Sequence, residues 1–179
     1  MTAGDRGDLL ERDLLVLDPE AQTPLPRPEL RAALLASIAG ESKLAGFGAR
    51  FAAFFDLALE RTQELLRAAA GGAADWESMR RVAGVELLHF PGGARVASRD
   101  CGLVRIAPGV RFPKHVHQGD EWSLVLSGSA EEEETGAVWA AGDVVYRPAG
   151  SAHAFRVTSR EPFVFGVVLH AAIELSEAR

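Results

Sequence analysis

The chain has 179 residues, of which 47% are hydrophobic, and it carries a formal net charge of −6 at pH 7. This length suffices for one ordinary domain plus a smaller one, and the acidic balance argues against a nucleic-acid or anionic-membrane partner, because either would need a basic surface. A single cysteine, Cys101, excludes an intrachain disulfide and favours a cytoplasmic protein. The N-terminus lacks a signal-like apolar segment, and no run approaches the roughly 18–20 apolar residues of a membrane span.

The first half of the chain predicts a small α-helical region. Residues 1–84 are rich in Ala, Leu, Glu and Arg. Their apolar periodicity predicts helices over 9–17, 28–39 and 48–70. Asp56 can cap a break in the third helix, which raises a helix-turn-helix alternative. Residues 1–84 carry ten Lys and Arg against thirteen Asp and Glu, however, and a DNA-binding region needs the opposite balance.

From Val85 onward, short apolar runs alternate with turn signals, which predicts an all-β barrel or sandwich. Roughly 95 residues divided among about eight strands leave no room for crossover helices, so the sheets should be mostly antiparallel. The predicted strands are VELLHF, ARVAS, CGLVRIA, EWSLVLSG, GAVWA, DVVYR, SAHAFRV and FVFGVVLH. We therefore expect a helical N-terminal region over 1–84, acting as a cap or partner-binding segment, and a β-barrel over 85–179.

Two segments of the β region contain residues of the types that bind metals. Residues two apart on a strand point the same way, so His115 and His117 share a face, and Glu121 joins them if the intervening residues restore the register. A second segment, GDVVYRPAGSAH, adds His153. Three imidazoles and one carboxylate suit Zn, Fe, Mn, Ni or Cu, and suit Ca or Mg poorly. We predict that these four residues bind one divalent transition metal, with zinc as the first expectation.

Both segments resemble the two conserved motifs of the cupin superfamily. The first motif covers residues 109–128 and the second covers residues 142–153. The resemblance implies a mainly β fold, a double-stranded β-helix (jelly-roll) barrel, in which the three histidines and the glutamate bind one metal. The family pattern continues to an Asn four residues after the last His, where this chain has Val157. That Asn is not a ligand, so the predicted metal site is unaffected.

A closer resemblance is to the ChrR-type cupin domains of bacterial anti-sigma factors. It is carried by LVRIAPGVRFPKHVHQGDEWSLVLSGS, GDVVYRPAGSAHAF and VELLHFPGG, and by the upstream FAAFFDLALERTQELL. The resemblance implies a metal-binding regulator whose barrel senses a small molecule or an oxidant and whose N-terminal helices bind a sigma factor or another transcription protein. This chain lacks the family's N-terminal His-x-x-x-Cys-x-x-Cys zinc signature. The sigma-binding part is therefore replaced by helices without metal, or it is missing.

An enzyme is the alternative interpretation of the same ligand set. Small cupin dioxygenases, which these motifs also resemble, use iron to activate O₂ and act on a chelating substrate such as a β-diketone. Ser123 and Arg105 are the candidate acid–base residues that would face the barrel interior beside the ligands. The catalytic residues are otherwise unassigned.

The remaining residues have simpler interpretations. His89 alternates with apolar neighbours, as a hydrogen-bonded strand residue does. Cys101 is expected to be a small, half-buried filler. The four glutamates at 131–134 predict a solvated hairpin turn.

Trp122, Leu124 and Leu126 form an apolar stripe on the face of their strand opposite Glu121. Such a stripe must be covered, either by the N-terminal helices or by a second copy of the chain. A homodimer is therefore expected.

Overall fold

The computed structural model describes residues 44–71 and 73–176. All of them belong to one compact unit that spans Ala36–Arg179. The helices predicted over 9–17 and 28–39 lie outside the described residues, and the boundary predicted at Gly84 stays a prediction. Within the described part of the chain, no helix has the length and hydrophobicity that crossing a membrane requires.

Two helices precede the barrel, α1 (Gly48–Phe55) and α2 (Leu59–Ala69). The break expected at Asp56 is confirmed, because Asp56 ends α1 with a left-handed backbone, φ 56°. This conformation is uncommon outside glycine, and aspartate is one of the residues that tolerate it best. Its carboxylate accepts hydrogen bonds from the backbone N–H and the Nε of Arg95, both at 3.0 Å. One amphipathic run is thereby divided into two helices.

Eleven strands are described. In chain order they are β1 (Glu77–Ser78), β2 (Val85–His89), β3 (Asp100–Ile106), β4 (Arg111–His117), β5 (Glu121–Ser127), β6 (Ser129–Glu132), β7 (Val138–Ala140), β8 (Val144–Arg147), β9 (Ala152–Val157), β10 (Phe163–Leu169) and β11 (Ile173–Leu175). Seven of the eight predicted strands are confirmed. The eighth, ARVAS, is wrong: Ala94–Val96 forms a 3₁₀ turn, closed by a 3.0 Å bond from the backbone N–H of Val96 to the carbonyl of Gly93.

The strands form two antiparallel sheets. Sheet A has the order β1-β2-β3-β10-β5-β8, and sheet B has the order β11-β4-β9-β6-β7. One apolar cluster combines side chains of both sheets, including Val104, Val125 and Val167 from sheet A with Phe112 and Phe155 from sheet B. The two sheets therefore enclose a barrel interior, and the predicted mainly β jelly-roll is confirmed.

Helices α1 and α2 cover the outer face of sheet A. Leu124 and Leu126 are each 1% exposed and belong to one cluster with Phe55 of α1. Gly166 of β10 leaves room for that phenylalanine, since a Cβ there would lie 2.8 Å from the ring. The prediction that the helices hide the outer stripe is confirmed for both leucines, whereas Trp122 remains 42% exposed.

Cys101 lies in the same layer between the helices and sheet A. It is 2% exposed, so it is fully buried rather than half-buried as expected. Burial raises the pKa of its thiol, which makes the thiolate scarce at neutral pH.

Candidate metal centre

His115 and His117 reach the barrel interior because β4 contains a bulge. Phe112 pairs with Phe155 and His115 pairs with His153, so two residues of β4, Pro113 and Lys114, lie opposite one residue of β9. The extra residue inverts the alternation of side chains, and it lets Phe112 and His115 face the same side. His115 and His117 are 3% and 1% exposed.

His153 of β9 lies directly across from His115 in the sheet B ladder. It is 5% exposed, and its ring centroid is 4.4 Å from that of His115 and 5.2 Å from that of His117. One potential ligand atom from each of the three rings lies within 4.8 Å of the other two. The fold therefore brings three imidazoles from two neighbouring strands to one buried point.

The ring nitrogens of this cluster have few protein partners. The Nδ1 of His115 lies 3.0 Å from the carbonyl oxygen of Pro113, to which its N–H can donate, leaving Nε2 with a free lone pair. Both ring nitrogens of His117 and the Nδ1 of His153 are buried without a hydrogen bond in the described part of the chain. Leaving a buried polar group unpaired costs about 1–3 kcal/mol. A metal ion at the centre would satisfy the Nε2 of His117, so the residues present fit one.

Burial also sets the protonation of these rings. Burial lowers the pKa of His115, although the Pro113 carbonyl opposes the shift. Burial, together with the neighbouring His115 and Arg147, lowers the pKa of His153 to about 2. Both rings are consequently neutral at neutral pH, which is the form that binds a metal.

Glu121, the fourth predicted ligand, lies beside the histidine cluster but outside the group of three. It begins β5, and its Oε2 is 3.2 Å from the Nδ1 of His117 without the alignment of a hydrogen bond. Its Oε1 accepts a 2.8 Å hydrogen bond from the hydroxyl of Ser123. The carboxylate is therefore near enough to interact with the cluster, and its role as a ligand stays a prediction.

The two candidate acid–base residues have different positions. Ser123 faces the interior, is 6% exposed and contacts the site through Glu121. Arg105 belongs to the opposite face of sheet A, where its Nε donates to Glu86 at 2.8 Å and its guanidinium lies 4.1 Å from the ring of Trp76. The expectation that Arg105 faces the barrel is wrong, because in β3 the interior residues are those next to it, Val104 and Ile106.

A cavity of about 240 Å³ lies between the sheets, and His115 and Glu121 form part of its wall. Most of the wall is apolar, formed by Met79, Leu87, Val104, Phe112, Phe155, Phe165, Val167, Leu169 and Ile173. His89 and Asp100 add a polar contact, with the Nδ1 of His89 3.0 Å from the Oδ1 of Asp100. His89 is hydrogen-bonded as predicted, and its position on the interior face, shared with Val85 and Leu87, was available from the strand periodicity.

Sequence reasoning missed Glu132. The segment 131–134 was expected to be a solvated turn, but Glu132 is 4% exposed and shares the interior face of β6 with Ala130. Its Oε1 lies 2.6 Å from Nη2 of Arg147. The alternation of Ala130 with Glu132 is the only sequence signal for this burial, and four consecutive glutamates conceal it.

Comparison with protein families gives a match between residues 102–170 and the cupin domain. This barrel is a cupin domain. No curated protein matches the chain. Among solved structures, a crystal structure described as that of the DMSP lyases RdDddP and RnDddQII is similar to this chain at 16% identity and a TM-score of 0.52. The match covers 82% of this chain and 99% of that chain. An RmlC-like cupin protein from Ralstonia eutropha is similar at 20% identity and a TM-score of 0.50.

The structure of Rhodobacter sphaeroides SigE in complex with the anti-sigma ChrR is a further similar one, at 22% identity and a TM-score of 0.48. The match to the Ralstonia protein covers 57% of this chain and 66% of that protein. The match to the SigE complex covers 58% of this chain and 54% of that chain. This chain therefore spans less than two thirds of both proteins. At these identities the likenesses to the DMSP lyase structure and to the Ralstonia protein show the fold alone.

Proposed function

We propose that this cupin binds one divalent transition-metal ion through His115, His117, His153 and Glu121. The observation that carries the proposal is the convergence of three buried imidazoles, two of which have unpaired nitrogens. The ligand types favour zinc, iron, manganese, nickel or copper, and we take zinc as the first expectation. Elemental analysis of the purified protein, with one ion expected per chain, tests this directly, and protein without metal after incubation with each ion would refute it.

We further propose that the cavity beside this site takes a small ligand. A 150 Å³ apolar cavity holds benzene, so the 240 Å³ cavity has room for roughly ten non-hydrogen atoms. Its apolar wall suits a hydrocarbon body, and His115 and Glu121 in the wall would bring a chelating group of the ligand to the metal. His89 and Asp100 offer the ligand a polar contact away from the proposed metal site.

The role we favour is regulatory: the metal-bearing barrel senses a small molecule or an oxidant, and the N-terminal region 1–84 binds a sigma factor or another transcription protein. The sequence resemblance to ChrR-type cupin domains supports it. So does the position of α1 and α2 on the back of sheet A, since β5 bears Glu121 on one face and contacts the helices through Leu124 on the other. Binding in the cavity can then shift how the helices pack, provided that the ligand favours one arrangement.

A pull-down with the full chain, loaded with metal, tests the regulatory role. We expect capture of a sigma factor or another transcription protein, and release of that partner when an oxidant or a small chelating ligand is added. A variant that lacks residues 1–43 but keeps the described helices serves as the comparison. The absence of any transcription protein from the captured material would refute the partner part of the proposal and leave the metal site untouched.

The second candidate is a dioxygenase that acts on a small chelating substrate. The favouring observation is that His115 and Glu121 line the cavity, so a substrate could reach the metal. Bound iron would supply the activation of O₂, while the apolar wall would hold the substrate and Ser123 would hold Glu121 in place. Oxygen uptake by iron-loaded protein with a panel of β-diketones tests this candidate. If none of the β-diketones causes oxygen uptake, the result counts against the dioxygenase and favours the regulator.

A further inference from the structure

Glu132 is a buried carboxylate within a run of four glutamates. Its side chain is 5% exposed, whereas those of Glu133 and Glu134 are 36% and 35% exposed. The latter two form ion pairs at the surface, with Arg111 and Lys114. A carboxylate removed from water is unfavourable unless it is paired and hydrogen-bonded. The partners of Glu132 therefore indicate what its burial serves.

Both oxygens of Glu132 are held in place. Oε1 accepts a 2.6 Å hydrogen bond from Nη2 of Arg147, and Oε2 accepts one from the hydroxyl of Thr135. The same Oε1 lies 3.3 Å from the Nδ1 of His153. This nitrogen is buried and has no aligned hydrogen bond in the described part of the chain. The Oε1 of Glu132, which is held in a fixed position, thus lies beside the Nδ1 of His153, which has no other hydrogen-bond acceptor in the described part of the chain.

We infer that Glu132 is a positioning residue, which acts through His153 on the metal site. The inference rests on the proposed metal binding. An N–H on Nδ1 directed at Glu132 leaves the lone pair on Nε2, the nitrogen then available to the ion. A carboxylate partner also makes the imidazole a stronger ligand, and losing such a partner typically lowers metal affinity 10- to 100-fold.

The other two histidines show the same relationship to an oxygen. The Nδ1 of His115 lies 3.0 Å from the Pro113 carbonyl, and that of His117 lies 3.2 Å from Oε2 of Glu121. Each of the three imidazoles therefore has an oxygen beside Nδ1, contributed by a different part of the barrel. The oxygens beside His115 and His153 favour Nδ1–H on these two rings and leave their Nε2 lone pairs for the ion, whereas Glu121 is itself a proposed ligand. Glu132 provides this oxygen for His153, and Arg147 balances its charge.

The test combines metal affinity with the protonation of the ring. Zinc affinity of the full chain is measured by competition with a chromophoric chelator for the wild type, Glu132→Gln and Glu131→Gln. Glu131 is the matched control, because it is the exposed neighbour on the same strand. Nitrogen NMR of the metal-free protein identifies which nitrogen of His153 carries the proton, and the absorption spectrum of cobalt-loaded protein reports the ligand field. A merely structural role of Glu132 would not alter the last two readouts.

We expect Glu132→Gln to weaken zinc binding 10- to 100-fold and to change the cobalt spectrum, with Glu131→Gln equal to the wild type and His153 protonated on Nδ1. If Glu132→Gln fails to fold because it leaves Arg147 unpaired, the double variant Glu132→Gln with Arg147→Met removes both charges and should show the same loss. Zinc affinity within twofold of the wild type, or a proton on Nε2 of His153, would overturn the inference alone. A wild type that binds no metal would overturn the proposed function with it.

Discussion

Phe55 of α1 packs against Gly166 of β10 so closely that a methyl group on the glycine would lie 2.8 Å from two atoms of the ring. The ring has little freedom to move away, because its centroid is 4.7 Å from that of Phe51 and 4.9 Å from that of Phe90, and Phe55 is fully buried. This contact joins the helical layer to the sheet that forms one wall of the cavity.

We therefore expect Gly166→Ala to lower the free energy of unfolding by about 1–3 kcal/mol, the usual cost of adding atoms to a packed core. Urea denaturation followed by circular dichroism measures it. Gly46→Ala is the control, since no atom lies within 4 Å of the Cβ it would add. A Gly166→Ala protein as stable as the wild type would show that the helices do not pack on sheet A in this way.

Replacing a histidine of the cluster should remove the stabilisation that a metal gives. An ion that binds only the folded state raises the free energy of unfolding by about 2.7 kcal/mol when its concentration is 100 times Kd. We expect this gain for the wild type and for His170→Ala, whose residue lies outside the group of three histidines. His115→Ala should lose both the gain and the bound ion. Thermal unfolding with and without zinc measures the stabilisation, and elemental analysis measures the bound ion. A His115→Ala protein that zinc still stabilises would contradict the proposed metal site.

The turn after α1 predicts a specific dependence of stability on pH. Hydrogen bonds from the backbone and then the side chain of Arg95 lower the pKa of Asp56 from 3.8. A carboxyl with a lowered pKa in the folded state contributes its full stabilisation above the unfolded pKa and loses it as the pH falls through the folded pKa. We expect Asp56→Asn to be less stable than the wild type at pH 6, and the difference to shrink as the pH falls below about 3.8.

Urea midpoints of metal-free protein between pH 6 and pH 2.5 measure this difference. Asp75→Asn serves as the control, because Asp75 is exposed. A difference between wild type and Asp56→Asn that stays constant over this range would mean that the carboxylate charge of Asp56 contributes nothing at the turn.

The exposed end of the outer stripe predicts a homodimer. The ring of Trp122 packs against that of Tyr146 at a tilt of 31°, with centroids 4.5 Å apart, and Val144 of the same strand as Tyr146 is 49% exposed. Tyr146 and Val144 belong to β8, which is the edge of sheet A among the described strands. A second copy can pair its own β8 with this edge and cover the apolar side chains of both.

Sedimentation velocity should then give about twice the chain mass of 19.1 kDa for the wild type. The variant Trp122→Gln with Tyr146→Lys should sediment as a monomer, while replacing Leu59, a more exposed apolar residue on α2, by Gln should not change the mass. A monomeric wild type would exclude the dimer.

The sequence predicted the barrel strands well where side chains alternate regularly. In β5, alternation separates Glu121 and Ser123 from Leu124 and Leu126, and the structure places them on opposite faces as expected. The break at Asp56 was also predictable, because a short polar residue interrupts an amphipathic run.

The alternation of side chains along a strand fails to predict burial where the strand contains an extra residue, or where a side chain's partner lies far along the chain. The bulge at Pro113 changes the phase of β4, which no periodicity argument detects. The burial of Glu132 depends on Arg147 and His153, contributed by strands that only the fold brings near. Arg105 was placed on the wrong face because its partners, Glu86 and Trp76, are likewise known only from the fold.

Strand β5 lies between the helical layer and the proposed ion site, and both depend on which side chains of the strand face them. A deletion or insertion of one residue between Glu121 and Leu124 would place Glu121 on the same face as Leu124 and Leu126, because the side-chain period of a strand is two. Either the contact with the helical layer or the proposed ion site would then be lost. Among descendants of this chain, β5 should consequently keep its length and diverge through replacements of one side chain by another.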